Sequence, residues 1–142
     1  MSSYSETHAF LSGLYASSAQ GDIEPTLEAM SDDLIFEYVG PLDIYPFCGV
    51  RHGKAEMREA VASISAEFSI DSVSLERLLV DEKGYVAILA ATATNRKTGI
   101  QMKCELVDVA KTGNGKIIEL REYWDVEGVT KQLMGKRLTL AS

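Results

Sequence analysis

Two acids, Asp108 and Glu122, have the residue type and the setting for proton chemistry. They lie in the stretch 102–126, MKCELVDVAKTGNGKIIELREYWDV. Two runs rich in Val, Ile, Leu and Tyr flank Thr112-Gly113-Asn114-Gly115, where glycine and asparagine supply the positive φ angles of a tight turn, so the stretch reads as a β-hairpin. Side chains alternate along a strand. Met102, Cys104, Leu106 and Asp108 therefore share one face, and Ile118, Leu120, Glu122 and Trp124 share one face of the partner run. Val107, Val109, Ile117 and Tyr123 point the other way. A carboxyl among apolar neighbours holds its proton more tightly, which suits it to exchange protons with a substrate near neutral pH. The bland alternatives are that Asp108 accepts hydrogen bonds from a tyrosine or loop backbone, and that Glu122 is a structural acid at a sheet edge.

The elements that must position this pair follow from hydrophobic spacing. Residues 5–19 carry Phe10, Leu11, Leu14 and Tyr15 at helical spacing, and Gly21 ends that helix. Asp22 opens a second short helix with Pro25 in its first turn and Leu27 and Met30 inward, before Asp32-Asp33 stop it. Residues 34–39 predict a short strand with Leu34, Phe36 and Tyr38 on one face. Residues 40–53 hold Pro41, Pro46, Gly49 and Gly53 with Tyr45 and Phe47, a loop apolar enough to pack and to close a pocket. Residues 54–68 predict the strongest helix, because Met57, Val61, Ile64 and Phe68 recur on one face. Three β-type runs follow at 73–81, 85–96 and 99–111, then 116–126, with Val129 and Leu133 marking a closing helical turn. Helices first and an antiparallel meander after them is an α+β layout, with helices packed on one face of a curved sheet.

Composition bounds the possible partners. At 142 residues the chain suits one domain spanning 1–142, and 46% hydrophobic content without a long apolar run suits a soluble protein. The formal charge of −7 argues against nucleic acid and anionic membrane surfaces, both of which need a basic face. The N-terminus lacks the basic and then apolar segments of a leader, so a cytoplasmic location is expected. Cys48 and Cys104 have no CxxC spacing, and His8 and His52 form no metal-ligand pattern, so free thiols and no metal are expected. His52 reads as a surface histidine. The apolar outward positions Val107, Val109, Ile117 and Tyr123 lead us to expect a homodimer through the outer sheet face.

The order of elements, Gly21-Asp22, Ser31-Asp32-Asp33, Pro46-Phe47-Cys48-Gly49 with Gly53-Lys54, and Arg121-Glu122-Tyr123-Trp124-Asp125 resemble the nuclear transport factor 2-like superfamily over nearly the whole chain. Within it the chain resembles SnoaL-like polyketide cyclases and ketosteroid-isomerase-related proteins. The resemblance implies a cone-shaped, curved antiparallel sheet wrapped around N-terminal helices, as in the cystatin-like folds, with a mostly apolar cavity at one end. It does not imply one activity, since the superfamily includes isomerases, dehydratases, cyclases, epoxide hydrolases and non-catalytic binders.

Carried over residue by residue, the resemblance to steroid isomerases puts Leu14 where they have the oxyanion tyrosine. Tyr15, one residue on, is about 100° further round the helix. Tyr38 stands at the place of their general base, and a phenol with an ordinary pKa near 10 is a poor base at neutral pH. Asp108 matches their protonated acid. Of the groups used by epoxide hydrolases of this fold, only Glu122 has a counterpart. The cyclases' acid-base aspartate matches Asp108.

The resulting expectation is a cofactor-independent isomerase, cyclase or dehydratase for a small, partly apolar carbonyl compound or a polyketide-like molecule. Asp108 is its acid or base, and Tyr38 and Glu122 support it. Tyr15, Leu14, Phe36, Phe47, Trp124 and Cys104 would contact the ligand. A non-catalytic binder of an apolar ligand and an association domain are the alternatives.

Overall fold

In the computed structural model, which describes residues 4–135, helix α1 (Tyr4–Ala19) ends ahead of Gly21, whose φ of 89° lets the chain reverse. The outermost residues of the expected 1–142 domain, 1–3 and 136–142, lie outside the described residues. The short helix α2 (Glu24–Ala29) starts with Pro25 in its first turn, while Asp22 accepts a hydrogen bond from the Glu24 N–H at 3.2 Å. It stops one residue earlier than the spacing of Leu27 and Met30 predicts. Met30 already belongs to strand β1 (Met30–Tyr38), which also takes in Asp32 and Asp33.

The loop after β1 is anchored by buried Tyr45, Phe47 and Cys48, with the Tyr45 hydroxyl 2.7 Å from the Thr130 hydroxyl. It contains a strand that sequence reasoning missed, β2 (Gly49–His52), followed by helix α3 (Gly53–Glu67). The chain then makes β3 (Phe68–Asp81), β4 (Gly84–Asn95), β5 (Gln101–Gly113), β6 (Lys116–Trp124) and α4 (Val126–Leu133). Phe68, expected as the end of the preceding helix, is the first residue of β3, and Ser69, Ile70 and Ser72, ahead of the run expected from 73, already pair with β4.

The six strands form one open, curved sheet in the order β2-β1-β6-β5-β4-β3. Its neighbours are antiparallel, as expected, except for β1 and β6, which run parallel. Strand β2, helix α3 and three strands of the meander separate β1 from β6, and a connection of that length lets the two strands pair in the same direction.

Bulges set which side chains face the helices. In β3, Asp71 and Glu76 are the extra residues at two register shifts. Each shift resets the alternation, so Phe68, Ile70, Val73, Leu75 and Leu78 all turn toward the core. In β6 the register slips at Ile118, which lies opposite no β5 residue. Ile117 is therefore buried and Ile118 is 39% exposed, the reverse of simple alternation from Leu120. On β4 the inward positions include Ala87, Ala91 and Ala93, small side chains that leave room between the sheet and the helices.

Candidate functional site

Three of the acid-base candidates stand on one rung of the sheet. Asp108 of β5 pairs directly with Glu122 of β6, and Glu122 pairs with Tyr38 of β1. On the far side Asp108 faces Ala87 of β4, whose methyl leaves the carboxyl uncrowded. Residues opposed in this way have Cβ atoms about 5 Å apart, so the two carboxyls and the phenol are neighbours by sheet geometry alone. The hairpin turn fixes that register, with Asn114 at φ 52° and Gly115 at φ 74°.

The helical layer adds a fourth group. The Tyr15 hydroxyl of α1 donates to Oδ2 of Asp108 at 2.5 Å. Asp108 is only 2% exposed, and its Oδ1 has no partner while both acids are ionised. A proton on Glu122 supplies the missing donor. Burial lifts the Asp108 pKa, and the hydrogen bonds from Glu122 and Tyr15 oppose that rise. Glu122 lies well above the ordinary carboxylate range, first through burial, then through the charge of Asp108 and the hydrogen bond to it. Two carboxyls this close titrate as a unit and share a proton. Burial is also the main reason that the phenols of Tyr15 and Tyr38 stay protonated, with the negative charge of the pair adding to it.

The rung opens into a cavity of about 230 Å³ between the sheet and helices α1, α2 and α3. Of the residues expected at the site, Asp108, Glu122, Tyr38, Tyr15, Phe36, Phe47, Trp124 and Cys104 all line it. Leu14 does not. It packs in the apolar core, while Tyr15 turns to the cavity, so the expected assignment of Leu14 to the ligand wall is corrected. The rotation of α1 about its axis is set by the sheet against which it packs, and an isolated helical pattern gives it only to within about one residue.

Tyr85 was missed. It is buried, with its phenol raised by burial first and by Asp108 second, and a hydrogen bond with Tyr15 pulls the other way. Its place at the start of a strand gave no hint of this neighbour.

The remaining walls are mainly aromatic and aliphatic. Tyr38 meets Phe36 edge-on at 4.5 Å between ring centres, and Phe47 meets Tyr38 at 5.7 Å and Trp124 at 5.8 Å. The Trp124 Nε1 is buried without a partner. Cys104 is a thiol with a pKa pushed up to about 11, chiefly by burial, which makes it a wall group and not a nucleophile at neutral pH. His52 lies exposed ahead of α3, where its backbone N–H donates to Glu56. Among the described residues no group of three or more His, Cys, Asp and Glu could hold a metal ion, and no helix is long and apolar enough to cross a membrane.

The sequence profile of the SnoaL-like domain family matches residues 11–120, and the chain belongs to that family. The matched span includes Tyr15, Tyr38 and Asp108. A comparison with curated proteins finds no match. Among solved structures, a candidate isomerase from Rhodopseudomonas palustris is 21% identical with a TM-score of 0.80, over 96% of this chain and 100% of that one. A candidate SnoaL-like polyketide cyclase from Mesorhizobium loti is 22% identical with a TM-score of 0.65, over 86% of this chain and 99% of that one. A protein with a ketosteroid isomerase-like fold from Catenulispora acidiphila, solved with trimethylamine, is 9% identical with a TM-score of 0.74, over 90% of this chain and 93% of that one. The fold is thus of the nuclear transport factor 2-like and ketosteroid isomerase-like kind.

Proposed function

We propose that the protein binds a small, partly apolar carbonyl compound in the cavity and isomerises, cyclises or dehydrates it by moving a proton at a carbon next to the carbonyl, without a cofactor. The observation that carries this reading is the rung Tyr38, Glu122, Asp108 with Tyr15 behind it, set in a mainly apolar wall. Glu122 keeps partial access to the cavity whereas Asp108 is almost fully buried. Glu122 is therefore the group that meets the substrate. As a proton leaves carbon for Glu122, the shared proton passes to Asp108, and the reverse transfer returns a proton to the substrate at another position. The Tyr38 phenol, protonated throughout, donates to the carbonyl oxygen as negative charge grows there. Tyr15 holds Asp108 in place. Placed acid-base groups of this kind contribute about 10²- to 10⁴-fold each.

The likeness to the solved structures, one of which holds a small molecule, is in keeping with this reading. The test is proton exchange: small apolar ketones are incubated in D₂O with the wild type and Glu122→Gln, and deuterium uptake beside the carbonyl is followed by NMR. Uptake faster than buffer with the wild type, and lost in Glu122→Gln, is expected. The mostly apolar wall favours a second reading, a binding protein without chemistry. A ligand retained through purification, with no catalysed exchange on any ketone, would establish that reading instead.

A further inference from the structure

We propose that the buried end of the cavity takes an uncharged, planar, unsaturated carbonyl compound and rejects carboxylates and phosphates, because its wall combines aromatic faces with a carboxyl pair and, among the described residues, has no cationic side chain. This deepens the proposed function and rests on the same cavity. The chain has 14 lysines and arginines and 2 histidines, yet among the described residues none of them lines the cavity. The described arginines lie elsewhere. Arg121 is on the opposite sheet face with Glu37, Arg58 forms a two-pronged pair with Glu24, and Arg96 donates to the Ser65 carbonyl.

An anion in the cavity would lose its hydration and find no positive partner, which is the costly case of charge burial. It would also meet Asp108 and Glu122. Two like charges about 6 Å apart at an effective dielectric of about 20 repel strongly enough to weaken binding by about 100-fold. A neutral carbonyl meets donors instead, from Tyr38 and from the proton held on the acid pair. Phe36, Tyr38, Phe47, Phe68 and Trp124 supply apolar faces and edges against which a flat molecule can lie.

Three probes of one shape separate the possibilities at pH 7: 2-acetylnaphthalene, 2-naphthoate and 1-(2-naphthyl)ethylammonium. Calorimetry gives the affinities. Trp124 is the only tryptophan, so its single indole N–H resonance reports whether a probe enters the cavity. The ketone is expected to move that resonance and to bind about 100-fold more tightly than naphthoate. In Asp108→Asn/Glu122→Gln the gap is expected to narrow by about tenfold or more. Naphthoate within threefold of the ketone, an ammonium that binds more tightly than the ketone, or a gap unchanged in the double variant would each overturn the proposal, as would failure of all three to shift the indole resonance. Turnover is not read in this experiment. Its failure is therefore distinct from a failure of catalysed exchange.

Discussion

Tyr15 and Asp108 lie 93 residues apart in the chain and 2.5 Å apart in space, joining the first helix to the fifth strand through a hydroxyl and a carboxyl oxygen. The bond ties the helical layer to the sheet at the point where the cavity wall is most polar. It also biases the charge of the acid pair, because a donor to Asp108 favours its ionised form.

Tyr15→Phe removes that donor. The expected result is a loss of about 1.5–3 kcal/mol in stability at neutral pH, the usual range for a hydrogen bond to a charged group. The Asp108 pKa should rise further, because a hydrogen bond that lowers it is gone. Urea denaturation at pH 7 and a carbon-detected NMR titration of the Asp108 carboxyl measure the two effects. An unchanged titration would show that Tyr15 does not control the pair.

Asp108→Asn should make the protein more stable at neutral pH, because burial disfavours the ionised carboxylate and an amide carries no charge to desolvate. The folded-state pKa of Asp108 is raised. The unfolded chain therefore releases its proton first, near the ordinary value of about 4, while the folded chain keeps it. Stability from this group is complete below that value and is lost as pH rises toward the folded pKa. Thermal midpoints of wild type and variant from pH 4 to 9 should diverge as pH rises. Lower stability of the variant at every pH would make Asp108 an ionised structural acceptor.

Tyr38→Phe should leave the fold intact and lower the exchange rate by about 10²-fold, the low end for one placed donor. The loss should appear in kcat more than in KM, because the hydrogen bond strengthens as charge develops on the carbonyl oxygen. A change in KM alone would mean that the phenol only holds the substrate.

The outer sheet face leads to a prediction about assembly. Val109 and Tyr123 are 40% and 39% exposed on neighbouring strands, and Ile35 of β1 and Val50 of β2 extend the apolar surface. A homodimer is expected through this face, which sedimentation at micromolar concentration will reveal. Val109→Lys with Tyr123→Lys should give a folded monomer. Sedimentation of the wild type as a monomer would refute the interface.

The hairpin and its inward acids were legible because turn chemistry and alternation are local. The partners of those acids were less so. Nothing near Leu14 and Tyr15 says which of them meets Asp108, because that depends on how α1 rolls against a sheet formed much later in the chain. Tyr38 was legible as an inward residue of β1, but its rung-mate Glu122 follows only from a parallel pairing between distant strands. The slip at Ile118 escaped for a similar reason: two adjacent isoleucines fit either face, and the bulge decides between them. β2 is too short for its pattern to rise above that of a loop.

The two acidic bulges of β3 have a consequence for solubility. At 14 residues β3 is a long strand, and it lies at a free margin of the sheet, where unpaired backbone N–H and C=O groups can recruit the same strand from another molecule. Asp71 and Glu76 interrupt that margin, each adding a kink and a negative charge where a straight, flat strand would stack most readily. The same two insertions that turn Phe68, Ile70, Val73, Leu75 and Leu78 inward thus also make this margin a poor template for edge-to-edge pairing.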